Sequence, residues 1–220
     1  SIALSLLILA IIVKYYQSKT YIYTITILIS TIFLIITFNR NKYWKDNFTL
    51  FTHDVKISAN SAKINCMAGG VLYEKAIDIK DSVIKNSHIQ QSLKYLNKAL
   101  DIHPTYIDAL RLKGNVYTLL NNYDSAIFYY LKVLKIYPNE NFTWQNCEIL
   151  LKLIPDNNKK LFFGLKLLEI DSLRFYPNYI CGNIYGKVFN NIPAAIKYLN
   201  KAAKINPDNS EVCKDLGVAY

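Results

Sequence analysis

Pro104 and Pro138 stand 34 residues apart, and the interval between them carries small and aromatic residues where two packed helices need them. Gly114 and Ala126 leave room for two helix backbones to approach, Tyr117 and Tyr130 fill the groove between them, and Pro138 stops the second helix. A hairpin of this size cannot bury its apolar face alone, so copies of it must stack. Upstream, Gly69 and Leu72 match the first helix and Ser92, Leu96, Ala99 and Pro104 the second, with residues 75–88 as an inserted extension. Downstream, Pro177 follows Pro138 by 39 residues, with Trp144 at the aromatic place and a second helix expected at about 156–175 without the small residues. Pro207 follows Pro177 by 30 residues, and Ala195, Leu199 and Ala202 match the second helix between them. Gly217 and Tyr220 then fall ten and thirteen residues after Pro207, the offsets of Gly114 and Tyr117 from Pro104, so a fifth unit begins. The sequence opens at Ser1 without a methionine and runs out inside that unit, and it is expected to be a segment of a longer protein.

The period and the residues at 114, 117, 126, 130 and 138 resemble the tetratricopeptide repeat. The expectation is an all-α chain in which residues 62–220 form a tetratricopeptide-repeat α-solenoid, divided at 62–106, 107–140, 141–179 and 180–209, with the fifth unit at 210–220. First helices line the concave face of such a stack, which places Asp108, Arg111, Leu112, Asn115 and Thr118 there, with Lys63 one unit upstream. Basic and amide side chains on that face suit an extended peptide or its carboxylate. No second lysine or arginine lines up for a carboxylate clamp, and an ordinary solvated scaffold face stays open as the plainer reading.

Residues 1–38 belong to a different solvent. They carry only Lys14 and Lys19 as charges, and residues 21–38 are uncharged throughout, about 27 Å of helix at 1.5 Å per residue. The chain therefore predicts a membrane span there. Residues 2–13 form a second apolar run, read as the end of another span, with residues 14–19 as the turn of a transmembrane helical hairpin. Lipid leaves no unpaired backbone, so helices are the form expected. Arg40, Lys42 and Lys45 on one side outnumber Lys14 and Lys19 on the other, which by itself favours a cytoplasmic repeat region.

Of the chain's 26 basic residues, 24 lie beyond these two lysines and face all 16 acidic ones. The signs are interspersed along the sequence, as on solvated helix faces, and no run interleaves basic clusters with exposed aromatics, so nucleic acid is not an expected partner. Cys66, Cys147, Cys181 and Cys213 fall one to each of four first helices, too far apart for disulfides and expected as buried free thiols. His53, His88 and His103 show no metal-ligand spacing, and no cofactor motif or catalytic constellation is present. Asn47-Phe48-Thr49 and Asn141-Phe142-Thr143 fit the N-glycosylation pattern, a weak signal in an Asn-rich chain.

Residues 39–61 join the two parts. Trp44, Phe48, Phe51 and Val55 recur at helical spacing, which predicts one interfacial connector helix, with Arg40, Lys42, Tyr43, Trp44, Phe48 and Phe51 at the lipid headgroups. A first helix capping the solenoid without membrane contact is the alternative. Arg40-Asn41 with Trp44, then Leu50-Phe51 and Asn60-Ser61-Ala62-Lys63, resembles the junction in multi-span O-mannosyltransferase-like proteins with C-terminal tetratricopeptide repeats. Position 59 is Ala where that junction commonly has proline. The resemblance implies a glycosyltransferase that uses a polyprenyl-phosphate sugar, with catalytic acids in an early loop that this sequence lacks. It also implies repeats outside the cytoplasm, against the charge count. A non-enzymatic, membrane-tethered scaffold for envelope or export complexes is the alternative. On either reading the partners are the lipid bilayer and a protein or peptide on the concave face.

Overall fold

The computed structural model describes residues 19–220, and among them there is no strand. The helices are α1 (Lys19–Asn41), α2 (Asn47–Ile57), α3 (Ala62–Asp78), α4 (Ser82–Ile102), α5 (Ile107–Leu119), α6 (Tyr123–Ile136), α7 (Asn141–Leu153), α8 (Asn157–Ile170), α9 (Phe175–Lys187), α10 (Ile192–Ile205) and α11 (Ser210–Ala219). The chain divides into two units, Ser1–Asp54 and Val55–Tyr220. The apolar run at 2–13 and the turn before Lys19 lie outside the described residues.

In the first unit, α1 has 23 residues, none buried, and is long and apolar enough to cross a membrane. The hydroxyls of Thr24, Thr26 and Thr31 donate to carbonyls four residues back at 2.8–2.9 Å, so these polar groups are satisfied within the helix itself. A 3-10 turn, Lys42–Lys45, follows, and Asp46 is fully extended. The Thr49 N–H donates to Asp46 Oδ1 at 2.7 Å, so Asp46 starts α2 as a capping residue. The single stripe expected from Trp44 to Val55 is therefore divided at Asp46. Trp44 sits in the turn, largely exposed, and α2 carries Phe48, Phe51 and Val55. Tyr43 and His53 stack across the break with ring centroids 3.6 Å apart.

In the second unit, α3–α4, α5–α6, α7–α8 and α9–α10 are successive antiparallel hairpins, and α11 packs on both α9 and α10. The first helices α3, α5, α7, α9 and α11 each touch the next, forming one continuous wall, with the second helices α4, α6, α8 and α10 behind it. Caps hold the helix starts: Ser61, Asp81, Asn122, Asp156, Asn191 and Asn209 each accept a backbone N–H from the first turn of their helix, worth about 1 kcal/mol apiece.

The register is more regular than the prolines imply. Second helices end at residues 102, 136, 170 and 205, steps of 34, 34 and 35. The 39- and 30-residue units expected around Pro177, and the boundary at 179, are thus corrected: α8 stops at Ile170, and Pro177 is the third residue of α9, where its missing N–H costs nothing. The insertion at 75–88 is not a loop. It lengthens the first hairpin, with 17 residues in α3 against 13 in α5 and 21 in α4 against 14 in α6.

Close approach within three of the four hairpins comes from a glycine under a large side chain. Gly69 lies under Leu96 and Gly182 under Leu199, where an added Cβ would come within 2.7 Å, and Gly114 lies directly under the ring of Tyr130. In the third hairpin the pair is inverted: Glu148 stands in the first helix and Gly164 in the second. The α7–α8 hairpin packs less closely as a result, and Phe163, Leu167, Trp144 and Leu151 fill the wider space. Gly164 serves the next boundary instead, with its missing Cβ 2.7 Å from Cys181 Sγ.

Candidate functional site

A cavity of about 380 Å³ opens on the first-helix wall where α3, α5 and α7 meet. Its apolar lining is Tyr73 and Ile77 from α3, Leu119 from α5, and Ile149 and Leu153 from α7. Its polar lining is Asn115, Thr118, Asn121, Tyr130 and Asn146, so every polar group in it is uncharged.

Asn115 organises the polar side. Its Oδ1 accepts from the Tyr130 hydroxyl at 2.8 Å and from Asn146 Nδ2 at 2.8 Å. With that oxygen doubly engaged, the Nδ2 group of Asn115 is its remaining donor and the Oδ1 of Asn146 the neighbouring acceptor. Thr118 donates to the Gly114 carbonyl at 2.9 Å and lies 3.2 Å from the Tyr130 hydroxyl, completing the network. Burial pushes the Tyr130 phenol above its usual range, so it stays a protonated donor. A fixed amide donor beside an amide acceptor, set among apolar side chains, matches a peptide backbone with an apolar residue.

The expected set does not form one site. Asn115 and Thr118 line the cavity, whereas Arg111 turns back to Asp108 in a 2.8 Å ion pair and lies over the Phe142 ring at 5.6 Å. Arg111 Nε is buried without a hydrogen-bond partner, so this guanidinium is a packed group more than a free anion hook. Lys63 is exposed and does not line the cavity. With no cation in the lining, a peptide carboxylate has no counter-ion there. Asn146 and Tyr73 were missed by the sequence reading, and Tyr130 was read as packing alone. The 34-residue register had a signal for Asn146, which stands one unit after Leu112.

Cys66, Cys147 and Cys181 are buried free thiols and Cys213 is exposed, which corrects the fourth of the four. Burial pushes Cys66 and Cys181 up to about 12 and Cys147 well above the usual thiol range. Among the described residues no three His, Cys, Asp or Glu side chains gather in a way that would hold a metal ion.

Residues 107–140 match the tetratricopeptide repeat family. The fold of the chain is similar to that of YrrB, whose crystal structure is described as a TPR protein with an unusual peptide-binding site: 15% identity, 77% of this chain and 81% of that one, TM-score 0.50. It is equally similar to PilF of Pseudomonas aeruginosa, at 12% identity over 84% of each chain and TM-score 0.50. MamA follows at 16% identity, 69% of this chain and 82% of that one, TM-score 0.45. No curated protein matches the sequence. Among its described residues the chain is all-helical, a tetratricopeptide-repeat solenoid preceded by one apolar helix.

Proposed function

We propose that this chain is a protein-interaction scaffold whose first-helix wall holds an extended peptide segment by its backbone, with an uncharged apolar residue seated between Tyr73, Ile149 and Leu153. The observation that carries the reading is Asn115, clamped by Tyr130 and Asn146 so that one amide donor and one amide acceptor stand side by side at an apolar cavity. The peptide-binding site attributed to YrrB supports the class of ligand. Peptides selected from a random display library against the full chain are expected to share a neutral apolar core and to bind equally well with a free or an amidated C-terminus. Asn115→Ala with Asn146→Ala is expected to weaken them about tenfold or more, the loss of two hydrogen bonds. Selected peptides that need a free carboxylate, or that ignore both substitutions, would falsify this site.

The finer reading adds a membrane and a parent. α1 anchors the scaffold in a bilayer, Arg40, Lys42, Tyr43, Trp44, Phe48 and Phe51 lie at the headgroups, and the repeats stand outside the cytoplasm. There they present acceptor proteins to a glycosyltransferase that uses a polyprenyl-phosphate sugar. The support is the length and composition of α1 and the O-mannosyltransferase-like residues at Arg40, Asn41, Trp44, Leu50 and Phe51. Protease accessibility of the repeats in sealed membrane vesicles tests the side. Repeats digested only from the cytoplasmic face sink the extracytoplasmic placement. The scaffold reading survives without the enzyme if the gene encodes no acidic-loop membrane domain upstream.

A further inference from the structure

The charges that alternate along the sequence are sorted by the fold. The four second helices carry eleven lysines and no arginine against Asp101, Asp124 and Glu169 and the capping Asp81 and Asp156, a net charge of +6. The five first helices carry seven basic and six acidic residues, a net charge of +1. Nearly all the excess positive charge of the repeats therefore lies on one wall, opposite the peptide cavity. Within it, Lys98, Lys132, Lys166 and Lys201 occupy the same place in successive hairpins, 34, 34 and 35 residues apart. Four residues earlier, on the same face of each helix, stand Lys94, Phe128, Phe162 and Lys197. Phe128 is 59% exposed and Phe162 53%. Lys166 pairs with Glu169 and lies 6.0 Å from the Phe162 ring, while Lys94, Lys98, Lys132, Lys197 and Lys201 make no ion pair among the described residues.

We propose that the second-helix wall is a docking surface for an anionic phospholipid bilayer, separate from any anchoring by α1. A row of lysines on flexible stems meets headgroup phosphates as point charges, each adding about 1 kcal/mol near an anionic leaflet, and two central phenylalanines find in the headgroup boundary the apolar contact they lack in water. The choice of lipid over another polyanion rests on the membrane reading above, since α1 brings such a surface within the chain's reach. Lysine without arginine also fits point-charge attraction better than bidentate nucleic-acid recognition.

The test uses the full chain with Phe128→Trp as reporter, its fluorescence taken as the difference from the unsubstituted chain to remove Trp44 and Trp144. Flotation with phosphatidylcholine vesicles reads the α1 anchor alone. Quenching of the reporter by brominated lipid reads the wall. Quenching is expected with phosphatidylglycerol vesicles and not with phosphatidylcholine ones, and it is expected to fall several-fold between about 0.1 M and about 0.5 M salt. Lys98→Gln, Lys132→Gln and Lys201→Gln together are expected to weaken the wall's partition about a hundredfold. The salt series on the unsubstituted lysines keeps the test valid if that variant misfolds. Floating chain with an unquenched reporter overturns the wall and spares the anchor. Quenching independent of lipid charge overturns it too, as does tighter reporter response to single-stranded DNA than to anionic vesicles at equal salt.

Discussion

The hydroxyl of Tyr130 donates to Oδ1 of Asn115 across 2.8 Å, while its ring covers the adjacent Gly114. One side chain thus joins the packing of the α5–α6 hairpin to the polar network of the cavity. Tyr130→Phe separates the two roles, because it keeps the ring and removes the bond. The expected result is a stability loss of about 1 kcal/mol by urea unfolding and a weaker selected peptide, with the helical circular dichroism unchanged. Undiminished peptide affinity would show that Asn115 needs no fixing.

Gly114 is the tightest approach in the array. Gly114→Ala pushes a methyl group into the Tyr130 ring and is expected to cost roughly 1–3 kcal/mol, while Gly217→Ala, where a Cβ meets nothing within 4 Å, is expected to be neutral or slightly stabilising. Parallel urea titrations of the two variants check the contrast, and equal effects would mean that packing is not what selects glycine at 114.

The inverted pair makes its own prediction. Gly164→Ala places a Cβ against Cys181 Sγ, so it is expected to cost about 1 kcal/mol or more alone and measurably less in a Cys181→Ala background. A double-mutant cycle with no coupling energy would remove Cys181 as the neighbour that matters.

The thiols divide three to one. With Cys66, Cys147 and Cys181 buried and Cys213 exposed, a disulfide reagent near pH 8 is expected to modify one thiol rapidly in the native protein and four in urea. The raised pKa values carry a sign as well. The folded protein holds protons that the unfolded chain releases near the ordinary thiol value of 9.0, so stability is full below about pH 9 and declines toward about pH 12. Unfolding midpoints that rise across that window would contradict the burial of Cys66 and Cys181.

The 34-residue hairpin at 107–140 was legible because Gly114, Ala126, Tyr130 and Pro138 each act locally. The third hairpin was not, since Glu148 and Gly164 trade places and Pro177 sits inside α9 instead of after α8. The break at Asp46 was hidden by a helical spacing that the four apolar residues keep even though the helix does not. Asn115 and Thr118 were found from their place on the first helix, but Asn146 needed the register between units; the Arg111–Asp108 pair stands at i,i+3 on one helix, a spacing that already favours an ion pair. The charge sorting was invisible along the chain because near-neutral and basic helices alternate in sequence.

The wide spacing of the α7–α8 hairpin also bears on how the array unfolds. A linear stack melts according to the balance between what each unit holds internally and what it shares with its neighbours. Here α8 packs on α9 through Gly164 and Cys181, and Trp144, Leu151 and Phe163 share a core with Ala126, Tyr130 and Leu134 of α6, so the third unit is held by both of its neighbours. Cooperativity should accordingly be uneven, with the α3–α4, α5–α6 and α9–α10 hairpins held closely within themselves and the third unit melting together with its neighbours.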